Sequence, residues 1–355
     1  MTPQQIFENH ISTTFPAGVF EPTEFSPNFS ICVWVNNSVQ TFFEINSAHF
    51  KIERPYFYLI QSDSINGCAF SKDGYNFIGL TKGLVDYASF MFRDILLDNE
   101  FYSDILENNN DQTPSLIYNE VFTSWIEFCN SNNLSFDSLD YTPNNNDRRI
   151  IAEALSQYFI FFSILHELGH LLQRNPQYLF ELDASPKTKE DNLNSQIMEM
   201  DADKFAVNQL ANHLITAFSN RNLPTNTPYL TFFKNQKMIV RYNIFILNFM
   251  FYFFTHNRNF EKYILEYPHP HPALRFSYSS RLLTECFYQN SFLSKDELLE
   301  CYRQSIHDFG NIIQKIFPNS KLKEFFNLIK DQELHNHYSD IITAAKGAKN
   351  LNGQY

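Results

Sequence analysis

Ile164-Leu165-His166-Glu167-Leu168-Gly169-His170-Leu171-Leu172 closes a long apolar run, and its reading decides the fold. From Ile150 to Leu165 the run contains no Gly or Pro, and its apolar positions suit a buried helix rather than a short strand. Asn175-Pro176 is the predicted stop. On a helix, residues four apart share one face, so His166 and His170 offer two imidazole nitrogens to one cation. Zn²⁺ is the expected ion, and Glu167 is placed to take a proton from a water that the ion activates. The pentapeptide alone is a moderate signal. With 11 His in 355 residues, chance supplies such a match in roughly a few per hundred chains.

A second segment completes the ligand count. In Ile197-Met198-Glu199-Met200-Asp201-Ala202-Asp203-Lys204-Phe205-Ala206, Glu199 and Asp203 are four apart and can both face the first helix. Glu199 is the predicted third metal ligand. Asp203 is predicted to accept the N–H of a ligand histidine and fix its tautomer. Asp201 is the competing carboxylate, on a different helix face. The bland alternative is an ordinary acidic helix start. Ala202 and Ala206 suit a close approach of two helices.

This pattern, His166-Glu167-x-x-His170 followed by Glu199-x-x-x-Asp203, resembles the gluzincin metallopeptidases. It is similar to the HtpX and CAAX-prenyl-protease group and to the ImmA/IrrE group of soluble peptidases; Lit-type phage-exclusion peptidases share the first motif. Asn66-Gly67-Cys68-Ala69-Phe70 and Phe77-Ile78-Gly79-Leu80-Thr81-Lys82-Gly83-Leu84 look like the first group's Asn-Ala-Phe-Ala segment and the strand that leads into its next helix. Gly67 and Cys68 stand where that group has Ala and an aromatic. His269-Pro270 with Arg275 resembles its late His-Pro-x-x-x-x-Arg element. Glu199 follows His170 by 29 positions, a short connection closer to the ImmA/IrrE pattern. The resemblance covers about half the chain, in islands. It implies a zincin-like α+β fold and a Zn²⁺-dependent endopeptidase acting on a protein or peptide.

In the expected mechanism Zn²⁺ is held by His166, His170 and Glu199, and Glu167 is the general base. His269, His271 or Arg275 supplies a donor to the developing oxyanion, or braces the site. The three prolines of Pro268-His269-Pro270-His271-Pro272 equally fit a plain rigid loop. Extended substrates add a strand to a sheet edge, and the strand near Phe77–Thr81 is the candidate edge. A non-catalytic zinc protein is the main alternative. Structural zinc normally has four protein ligands including Cys, and no Cys lies near these motifs. A protease effector or toxin acting in a host cell is the third reading.

Composition bounds the rest. Aromatics make up 17% of residues, with 38 Phe, 19 Tyr and only 9 Gly, which suits a helix-rich, Phe-packed body. A net charge of −12 argues against nucleic acid or an anionic membrane as the main partner. Arg148-Arg149 is the local basic spot. The five cysteines have no C-x-x-C pattern and read as reduced thiols of a cytoplasmic protein. The start of the chain lacks the pattern of a signal peptide. The apolar run Ile244–Phe254 is too short to span a bilayer and reads as a core helix.

Residues 1–147 read as an α+β part and 148–355 as a helical zinc-binding part, together one compact unit. Strands are expected at 30–35 and 41–45, joined by a turn at Asn36-Asn37, and again at 57–60 and 76–80. Ser71-Lys72-Asp73-Gly74 is a turn and Gly83–Leu97 a helix. Asn108–Asn110 and Asn144–Asn146 read as loops flanking a helical stretch near 122–128. Asp183–Asp191 reads as an exposed loop and candidate lid. Residues 290–345 read as helical, with caps at Ser294 and Asn319-Ser320. The class is α+β: a small sheet packed on a mostly helical body.

Overall fold

The computed structural model describes residues 1–23, 28–102, 104, 106, 143–173, 188–219, 232–233, 235–255, 269–318 and 322–352. Helix α1 (Pro3–Ile11) and helix α2 (Phe29–Phe50) precede a sheet of β1 (Tyr56–Ile60), β2 (Gly67–Lys72) and β3 (Tyr75–Thr81). Helices α3 (Lys82–Leu97), α4 (Asn146–Leu172), α5 (Lys189–Ser219), α6 (Gln236–Thr255), α7 (Pro272–Gln289), α8 (Lys295–Ile316), α9 (Leu322–Ile329) and α10 (Gln332–Asn352) follow. A small sheet on a mostly helical body is the α+β class expected from the pattern.

The sheet order is β1-β3-β2, with β1 parallel and β2 antiparallel to β3. The β2–β3 hairpin turns at Asp73 (φ 51°) and Gly74 (φ 83°). Two consecutive positive φ angles match the right-handed strand twist, and an Asp-Gly pair tolerates them. Phe77 packs on one face with Phe7, Phe70 and Ile60. Ile78 and Leu80 face the other way, into the main core. Covered on both faces, β3 is central. The expectation that Phe77–Thr81 is a sheet edge is therefore corrected: β1 and β2 are the edges.

The hairpin expected at 30–45 is also corrected. Its two strands and the Asn36-Asn37 turn form one helix, α2. Ile31, Cys32, Val35, Val39 and Phe43 are buried on one stripe, while Asn36 and Asn37 are exposed. This three-to-four spacing gives a core-facing stripe, and burial outweighs the β preference of the branched residues.

The main hydrophobic cluster runs from Ile31 to Phe325 and draws on the sheet, α3, α4, α6 and α8. Ile244–Tyr252 lies inside it, as a core helix; Asn243 and Asn248 donate to the Ile239 and Ile244 carbonyls of their own helix, at 2.8 and 3.1 Å. Among the described residues, no helix is long and apolar enough to cross a membrane. Arg148 is no surface basic spot: it is fully buried and donates to the carbonyls of Asp98 (2.8 Å), Phe101 (3.1 Å) and Asn99 (3.3 Å) beyond the C-terminus of α3. A cation suits that end of a helix.

Asn145 caps α4 by accepting the Arg148 N–H at 3.1 Å. Ser294 and Glu297 form a reciprocal capping box on α8. Lys189–Asp191 open α5 and are not loop, with Thr188 and Asp191 exchanging hydrogen bonds at its start. The segments expected at 108–110 and 122–128, the lid portion 183–187 and the cap at Asn319-Ser320 lie outside the described residues.

Candidate metal centre

Helices α4 and α5 cross where their small residues meet. A Cβ built on Gly169 would stand 2.9 Å from the Ala202 Cα. This crossing brings the two sequence motifs together. His166 Nε2 and His170 Nε2 are 3.1 Å apart. Glu199 Oε2 lies 3.4 Å from His166 Nε2, and Oε1 lies 3.3 Å from His170 Nε2. Among the described residues, these three form the group of donor atoms able to hold a metal ion. Asp201 is not in it.

Behind the group runs a chain of charged contacts. Asp203, fully buried, places Oδ1 2.9 Å from His166 Nδ1. Arg275, from the first turns of α7, donates Nε to Asp203 Oδ2 and Nη2 to Asp203 Oδ1, each at 2.7 Å. Its Nη1 lies 3.4 Å from Glu199 Oε2, and the guanidinium sits 5.1 Å above the Phe251 ring. Arg275 thus braces both Asp203 and Glu199.

The two neighbouring histidines divide. His271 is buried and caps α7, its Nδ1 accepting the Ala273 N–H at 3.1 Å. His269 is 40% exposed, with Nδ1 3.3 Å from Glu199 Oε1. His269 therefore stands at the rim of the cluster, and His271 belongs to the scaffold.

Electrostatics follow from this arrangement. Burial opposes charge on His166, but its hydrogen bonds to Asp203 and Glu199 prevail and raise its pKa to about 10. Burial would raise the Glu199 carboxyl, yet His269 and His170 hold it well below the usual range. Asp203 is likewise pulled down by Arg275 against its burial. Glu167 behaves oppositely. Burial pushes its carboxyl up, and the nearby histidines only partly offset this.

Glu167 lies against the β2 edge: a Cβ built on Gly67 would come 2.9 Å from its Oε1. Cys68, the next residue, has its thiol pushed up to about 12 by burial and then by Glu167. The sequence carried no signal for Phe251 beneath Arg275, since it reads as one more core aromatic. The contact of β2 with Glu167 had a partial signal in the Asn66–Phe70 segment. Compared with protein-family models, with curated proteins and with solved structures, the chain matches none of them.

Proposed function

We propose that this protein is a zinc-dependent peptidase of zincin-like architecture, with His166, His170 and Glu199 as the ligands and Glu167 as the general base. The observation that carries this reading is the donor triangle itself. Its edges of 3.1, 3.3 and 3.4 Å suit a tetrahedral ion with bonds of about 2.0–2.1 Å, whose ligands stand about 3.3–3.4 Å apart. With His166 Nδ1 directed at Asp203, its Nε2 is the nitrogen that would give up its proton and offer a lone pair to the ion. Two imidazole nitrogens 3.1 Å apart, beside a carboxylate, suit a shared cation.

The donor set is two imidazoles and one carboxylate without Cys. That leaves a tetrahedral ion one position for water or substrate, which supports catalysis over a purely structural site. Zn²⁺ there supplies Lewis-acid activation of water and of the substrate carbonyl.

The chain's own groups do the rest. Glu167, beside the ligand His166 and facing Gly67 of β2, accepts a proton as water oxygen attacks the peptide carbonyl carbon. It then passes that proton to the leaving nitrogen as the C–N bond breaks. His269, half-exposed at the rim, donates to the carbonyl oxygen as negative charge develops there. Asp203 and Arg275 hold His166 and Glu199 in place. A substrate chain in extended form pairs with the outer edge of β2, on which no strand lies among the described residues and whose Gly67 faces Glu167.

Glu167→Gln tests the reading. Elemental analysis should find wild-type zinc content in this variant, and new protein N-termini seen in cells expressing wild type should vanish with it. A variant that generates the same N-termini as wild type defeats the proposal.

A further inference from the structure

We propose that the contact between Gly169 and Ala202 sets the separation of the two ligand helices, so that these two residues are positioning residues for the ion. The inference rests on the metal site proposed above. Gly169 lies between His166 and His170 on α4, and Ala202 lies between Glu199 and Asp203 on α5. One helix–helix contact is therefore flanked on both sides by the donor groups and their support.

A Cβ added to Gly169 would meet the Ala202 Cα at 2.9 Å, its Cβ at 3.2 Å and its carbonyl oxygen at 3.2 Å. The nearest obstacle is backbone, which has no rotamer to turn away. Ala202 is fully buried, and the core beneath α4 is closely packed. An alanine at 169 must move one helix off the other by some tenths of an ångström. Metal–ligand distances tolerate about 0.2 Å. Glu199 would then recede from both histidines together.

Helix propensity predicts the opposite outcome. Alanine is the better helix former, so α4 taken alone gains from the change. Only the crossing opposes it. A purely local helix role for Gly169 and a positioning role thus differ in sign.

The test is Zn²⁺ affinity of the metal-stripped full chain, by competition with a chromophoric chelator. Wild type, Gly169→Ala, Ala202→Gly and the double variant are compared. The visible absorption of Co²⁺ in place of Zn²⁺ reads the ligand geometry in parallel. The expected result is a loss of about ten-fold or more in Gly169→Ala, the scale seen when a ligand's supporting contacts are disturbed. In the double variant Ala202→Gly removes only the Cβ contact at 3.2 Å and leaves the Cα at 2.9 Å, so affinity and Co²⁺ spectrum should recover only in part. Unchanged affinity in Gly169→Ala overturns the proposal, as does an unchanged Co²⁺ spectrum. If Gly169→Ala does not fold, the double variant decides in the same two ways. A wild-type chain that binds no Zn²⁺ instead overturns the metal site on which the inference rests, a separate and recognisable result.

Discussion

Arg275 grips Asp203 with two parallel hydrogen bonds, both 2.7 Å long, across 72 positions of chain. Asp203 is fully buried and its other neighbour is His166. The pair therefore ties α7 to α5 and orients a histidine of the α4 motif. Replacing Arg275 with Met removes the countercharge and leaves a carboxylate in the core. We expect a loss of about 3–5 kcal/mol, the cost of breaking a buried ion pair from one side. Urea unfolding measures it. Lys at 275 keeps the charge but not the two-pronged geometry, and should recover only part of the loss. A shift within error for Arg275→Met would refute the bracing role.

Replacing His166 and replacing Glu167 should separate metal binding from chemistry. His166→Ala removes one donor, so zinc content after dialysis should fall well below one ion per chain. Glu167 is not among the donor atoms that converge, and its Gln variant should stay fully loaded. Equal zinc in the two variants contradicts the division of roles.

Cys68 offers a pH readout of the β2 edge. Its thiol is held near 12, against about 8.5 for a free cysteine, and only the thiolate reacts. At pH 8 the folded protein should be alkylated by iodoacetamide at Cys68 slower than the unfolded chain by about 10³-fold. The rate should climb about tenfold per pH unit between 8 and 10, still below the folded pKa. For stability the sign is that of a raised pKa. The contribution is complete below the unfolded value of about 8.5 and is lost as pH rises from there through the folded value. Mass spectrometry of the Cys68 peptide follows the reaction; fast labelling at pH 8 in the native protein excludes the burial described.

Helix α2 can be probed at the Asn36-Asn37 pair. Both side chains are exposed in mid-helix, so Ala at each should stabilise by about 0.5 kcal/mol. Pro at 37 should cost about 3 kcal/mol or more. Thermal unfolding distinguishes this from a hairpin turn, where Ala would weaken the fold and Pro would be the milder change.

Local readings succeeded where neighbouring residues decide the outcome. The spacing of His166 and His170 places both rings on one face by helix geometry alone. The hairpin turn at Asp73-Gly74, the Ser294 cap and the core helix through Ile244–Tyr252 are likewise short-range. The segment 30–45 misled because Val33, Trp34 and Val35 have strand preference, while the buried stripe Ile31–Val35–Val39–Phe43 has helical spacing. Which of the two prevails depends on what the stripe packs against.

Sequence by itself determined that two histidines, a glutamate between them and a downstream carboxylate pair were available at helical spacing, because 3.6 residues per turn fixes such faces without any tertiary context. Only the tertiary structure decided that Arg275 braces Asp203 while His269 remains at the rim and His271 caps a helix. It alone made β3 central and β2 the edge beside Glu167. Those outcomes join groups far apart along the chain, and such pairings are set by close packing of helices and sheet, as at Gly169 and Ala202, not by the preferences of adjacent residues.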